Sequence, residues 1–167
     1  MRKLPGMLAS IALLITASAF ASDPEAPNFA AYAVPVATPA KMAAPVLVTK
    51  PDHEFRTMIR RAAHDGKVNF AGHYILSAIG CGSSCLLAFA LDANDGQVTW
   101  LPFTVSFTSE LDHGFNSSIQ PFDFHADSRL LVIQGSRDEH DDDGIYQYVF
   151  EHNRFHLVHA KRYRSVP

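Results

Sequence analysis

A chain of 167 residues, 47% hydrophobic and 19% charged, makes one domain with enough apolar side chains for a core, which excludes wholesale disorder. Its 17 acidic and 14 basic groups give a net charge of −3 and a pI near 6.3. The basic residues are scattered, so the electropositive face of a general nucleic-acid binder is missing.

Arg2 and Lys3 precede an apolar run from Met7 to Phe20 that closes on Ala19-Phe20-Ala21, the layout of a secretory signal over residues 1–21. The alternative, a membrane anchor, needs a longer run, and no cysteine follows to carry a lipid. Cleavage after Ala21 takes Arg2 and Lys3 from the 14 basic groups and leaves 12 against 17 acidic ones, a net charge of −5. The expected location is the periplasm or the exterior, with no membrane span after cleavage. Residues 22–48 turn to alanine, valine and proline, with prolines at 24, 27, 35, 39 and 45. Each proline removes an amide donor and restricts the residue before it. A flexible, partly polyproline-II linker is expected here, and a single domain over 49–167.

Thr49 and Asp52 form a capping-box pattern, with Pro51 in the first turn where its missing amide costs nothing. Phe55, Met58, Ile59, Ala62 and Ala63 follow on one helical stripe, and Gly66 stands at the C′ position. After Gly72 the period drops to two. Strands are expected over His73 to Ile79, Cys85 to Asp92, Gln97 to Leu101, Phe103 to Phe107, Ile119 to Phe124, Arg129 to Gln134, Ile145 to Glu151 and Arg154 to Lys161. Asn94-Asp95-Gly96 supplies a tight hairpin turn. Too few residues remain to close a propeller. The expected fold is therefore mainly β (α+β): a single twisted antiparallel sheet or small β-sandwich with an N-terminal helix packed on it.

Asn69-Phe70-Ala71-Gly72-His73-Tyr74, then Gly80-Cys81-Gly82-Ser83-Ser84-Cys85, then Asp92-Ala93 and Asp95-Gly96-Gln97-Val98 resemble a family of small secreted bacterial proteins of unknown function. In that family an Asn-Phe-Ala-Gly segment precedes a Gly-Cys-Gly-x-x-Cys turn. The resemblance continues through Asp127-Ser128-Arg129-Leu130-Leu131 and covers Phe55 to Val158. It departs at Ile79, where a large aromatic often stands. It implies no activity.

Cys81 and Cys85 are the only cysteines, and export would place them in an oxidising compartment, so a disulfide is the first reading. A redox or nucleophilic thiol pair is the rival, and a metal site would need further soft ligands. In Asp138-Glu139-His140-Asp141-Asp142-Asp143-Gly144, the residues Glu139, Asp141, Asp143 and Gly144 imitate positions 1, 3, 5 and 6 of a calcium loop. Position 12, however, falls on Phe150, so a solvated acidic loop competes with weak divalent-metal binding at Glu139, Asp141 and Asp143. Nine histidines are spread along the chain, and the His-x-x-x-His spacing of His152 and His156 falls on the last expected hairpin rather than on a helix. His73 is a candidate base or a hydrogen-bonded core residue. Ser83 and Ser84 lie in a glycine-rich turn without a nucleophile elbow. Trp100, Phe103, Phe107 and Phe115 are either core or a ligand-binding face.

These readings point to an exported, non-enzymatic binding or inhibitor/immunity-like module that meets another envelope protein and carries no cofactor. Its candidate surface is the cysteine turn (Ser83, Ser84) with His73, together with Asp112 and His113 in the polar stretch Phe107 to Ser118. The alternatives are a small periplasmic hydrolase using His73 or His113, for which the three polar groups His73, Asp112 and His113 would have to converge, and a weak metal binder.

Overall fold

The computed structural model describes residues 26–107 and 121–163. The export signal expected over 1–21, and Asp112 and His113, lie outside them. Where the periodicity predicts one helix there are two short ones, α1 (Lys50–Glu54) and α2 (Arg56–Asp65). The capping box forms as expected, the Thr49 side chain accepting from the Asp52 amide and Asp52 from the Thr49 amide. Phe55, at φ −98° and ψ 18°, ends the first helix and begins the second. This break turns the stripe: Ile59 is fully buried, whereas Met58, expected on the same face, is exposed. Gly66 is not left-handed, since its φ is −74°. Glycine is needed there because a Cβ would lie 2.2 Å from the Ala62 carbonyl oxygen. Among the described residues no helix is long and apolar enough to cross a membrane.

Among the described residues the remainder is one antiparallel sheet of eight strands: β1 (Tyr74–Gly82), β2 (Cys85–Asp92), β3 (Val98–Trp100), β4 (Val105–Ser106), β5 (Phe122–Phe124), β6 (Leu130–Arg137), β7 (Gly144–Glu151) and β8 (Arg154–Arg162). Its main path runs β1-β2-β4-β6-β7-β8, with β3 on β2 and β5 on β6. The alternation legible in the sequence becomes two apolar faces. On one face Leu76, Ala88, Ala90, Leu131, Ile133, Tyr146 and Phe150 pack around Phe70, so the β1–β2 half and the β6–β7 half share a core. On the other, Ile75, Ile79, Phe89 and Leu91 receive Ile59 of α2. A third cluster, Leu130, Val132 and Val149, lies under Phe29 and Tyr32.

That last contact corrects the expected flexible linker. Over residues 26–48 the chain is held against the domain as a strap. Val34 donates its amide to the Asp127 carbonyl, Ala37 to Gly72, Ala43 to Ala93 and Val46 to Gly96, at 2.8 to 3.0 Å. Ser128, buried, donates its hydroxyl to the Phe29 carbonyl at 2.8 Å. The prolines deny the segment its own secondary structure, but the amides between them find acceptors elsewhere. Gly96 permits one of these approaches. Its φ is +80°, and a Cβ would stand 2.0 Å from the Ala44 carbonyl oxygen.

Candidate functional site

A cleft follows from the way β6 shares its edges. One edge pairs with β7 over Leu130 to Gly135. The other is divided: β5 takes Leu131 to Ile133, and β4 takes Ser136 and Arg137. β2 in turn meets β4 only at Cys85 and Leu86. The β1–β2 hairpin and β5 therefore splay from a joint at β4, leaving an open cavity of about 790 Å³. Leu76 and Ala78 of β1, Leu86 and Ala88 of β2, and Phe122 and Phe124 of β5 wall it. Its polar groups are few, Ser77 and Asp123 among them. Asp123 is 61% exposed and its Oδ1 lies 3.9 Å from His125 Nε2. Such a space accepts an apolar group, with a donor or cation directed to the Asp123 carboxylate.

The cysteine turn stands above one wall. Cys81 and Cys85 are joined, with Cα atoms 5.2 Å apart. Gly80 pairs with Leu86 and Gly82 with Cys85, so Cys81 is the extra residue of a β-bulge and the bridge pins it. Closing so short a loop is worth about 2 kcal/mol, so it shapes the hairpin more than it holds the fold. Ser83 and Ser84 are exposed at its tip, Ser84 with φ 54°.

His73 is at the opposite end of β1. Eight residues at roughly 3.3 Å each separate the two ends of that strand, so His73 and the Ser83–Ser84 turn do not form the one surface expected. Instead His73 Nε2 lies 3.3 Å from Asp92 Oδ2, and the buried Asp92 carboxylate also accepts from the Asn94 amide at 2.7 Å. The His73 ring packs on Tyr74, with centroids 4.4 Å apart. Tyr74 donates its hydroxyl to Asn153 Oδ1 at 3.0 Å, and Asn153 Nδ2 donates to Gln97 Oε1 at 3.0 Å. Burial, with the Asp92 charge beside it, pushes the Tyr74 hydroxyl well above its ordinary range, so it stays a donor. This chain ties the start of β1 to the β2–β3 and β7–β8 turns.

The acidic loop is organised around the member that the calcium pattern skips. Asp142 accepts from the Arg137 amide and from Arg137 Nε and Nη2 at 2.7 to 2.9 Å. Burial alone would raise its carboxyl, but the Arg137 hydrogen bonds and charge hold it below the usual range. Glu139, Asp141 and Asp143 form no ligand set: among the described residues no group of three or more His, Cys, Asp or Glu side chains is placed to hold a metal ion.

Two organising contacts left no local signature. Asn69 accepts from the Leu76 amide at 2.8 Å and donates to the Leu76 carbonyl at 3.1 Å, closing the edge of β1. Asp52 accepts from Trp100 Nε1 at 2.8 Å, 48 positions away. Both residues stood in motifs noted in the sequence, Asn69 in the Asn-Phe-Ala-Gly segment and Asp52 in the capping box, but neither motif records these contacts.

Comparison of the chain with known protein families, with curated proteins and with solved structures gives no match.

Proposed function

We propose that the chain is an exported, non-enzymatic binding module of the bacterial cell envelope, holding part of another protein in the cleft between β1–β2 and β5. The observation that carries this reading is the cleft itself. It is open, more apolar than polar, and walled chiefly by β1, β2 and β5, so those walls are set before a partner arrives. The disulfide supports export, because such bonds persist outside the cytosol. An inhibitor or immunity-like role suits a rigid site of this kind, and the resemblance to small secreted proteins suits export.

Ala78 is exposed on the cleft wall, so Ala78→Arg fills the space without burying a charge. With the mature protein immobilised, a specific envelope protein is expected to be retained from periplasmic extract by the unaltered chain and lost with Ala78→Arg, while both unfold at the same urea concentration. A partner retained equally by both, or none retained by either, overturns the reading.

One observation favours hydrolysis as a second reading: Asp92 orients His73 at 3.3 Å, leaving the ring one-third exposed. Under it, His73→Gln would abolish an esterase or amidase activity of the purified protein, whereas under the first reading no such activity is found to lose.

A further inference from the structure

β2 presents its other face to a second recess. Leu87, of opposite parity to Leu86 and Ala88, lies in a hollow of about 470 Å³ between α1 and the β3–β4 segment. Three aromatic rings border it: Phe55, Trp100 and Phe103, each only half-buried. The Phe55 and Trp100 centroids are 5.6 Å apart with 51° between the planes, so the two rings are tilted and not stacked face to face. Trp100 is held in place, its Nε1 donating to the buried Asp52 and its indole packing on Phe89 at 5.1 Å. Two carboxylates also line the recess. Asp138 is anchored by the Thr104 amide at 2.9 Å, and Glu54 is exposed on α1. Among the described residues no cationic side chain lines the recess. Arg137, whose guanidinium carbon is 5.8 Å from the Phe103 ring centre, has its charge met by Asp142.

Aromatic faces attract a cation through their quadrupole, and nearby carboxylates add to the attraction while repelling anions. We infer that this recess binds a compact organic cation, a free alkylammonium group, in the hollow that the Trp100, Phe55 and Phe103 rings border, with Glu54 and Asp138 beside it. A phosphate attached close to the ammonium would meet both carboxylates, so the recess selects the free cation over a lipid headgroup. This site is separate from the β1–β5 cleft, and its failure leaves that reading untouched.

Trp100 is the only tryptophan in the chain, so its fluorescence reports on this recess alone. The folded protein is titrated with choline, with its uncharged isostere 3,3-dimethylbutanol, and with phosphocholine. A saturable change with choline is expected, about tenfold weaker with either of the others, as a partly desolvated cation–π contact requires. The double variant Glu54→Gln, Asp138→Asn is expected to weaken choline while the urea midpoint holds. No saturable response to choline, an equal response to dimethylbutanol or phosphocholine, or an unchanged affinity in the double variant overturns the inference.

Discussion

Asp52 is 2% exposed, yet its carboxylate accepts from the Val48 amide, the Thr49 amide and Trp100 Nε1 at 2.6 to 2.9 Å. Burial works to raise its pKa, but the bonds from Thr49, Trp100 and Val48 outweigh it and hold the carboxyl below its ordinary value. A depressed folded value means that its stabilisation is present above the unfolded pKa, near 3.9, and disappears as the pH falls through the folded one. Asp52→Ala should therefore cost about 1 to 3 kcal/mol at pH 7, read from urea unfolding, with the gap to the unaltered protein closing below about pH 4. Half of this residue's role was legible. Thr49 and Asp52 are three positions apart, and a capping box depends only on such neighbours. The bond to Trp100 depends on α1 crossing β3, which no local spacing records. The same holds for His73 and Asp92: each was visible, but their pairing is set by strand register.

At the level of elements, the strap departs furthest from its composition. Five prolines between residues 22 and 48 argue against helix and sheet, and the described residues of the segment, 26–48, have a four-residue 3-10 turn, Phe29–Tyr32, and one isolated bridge, Ala33 to Ser128. What composition leaves out is the far side of each hydrogen bond, since Val34, Ala37, Ala43 and Val46 donate to carbonyls 35 to 93 positions on. Met42 and Leu47 join the helix-side core, and Phe29 and Tyr32 cover Leu130 and Val149. A chain beginning at Thr49 should lose on the order of 5 kcal/mol, the burial of several large apolar side chains, and fall near the limit of marginal stability. Urea unfolding of the truncated and longer chains measures this, and a flexible tether would show no difference. The strands themselves were legible: Cys85 to Asp92 matches β2 end for end, because period-two alternation and the Asn94-Asp95-Gly96 turn are both local.

For the whole molecule the joining residue is Phe70, fully buried ahead of β1. Its ring meets Phe124 of β5, Phe150 of β7 and Phe155 of β8, with centroids 5.5 to 6.4 Å apart. Through it the β1–β2 half closes on the β6–β8 half at the side away from β4. Phe70→Ala should cost about 3 to 5 kcal/mol and widen the separation of the two halves. The first shows in denaturant unfolding, and the second as faster amide exchange in β5 and β8 than in β2. The cleft was illegible for the same reason that Phe70 matters, since both arise from which edge of β6 each strand takes. The strap adds a constraint on timing. A polypeptide is made from its first residue onward. Phe29 and Tyr32 come out early, yet the surface they must cover, Leu130, Val132 and Val149, is among the last to follow. Until then two aromatic side chains have nowhere to settle, so the newborn chain carries an unsheltered greasy segment until most of it has been made.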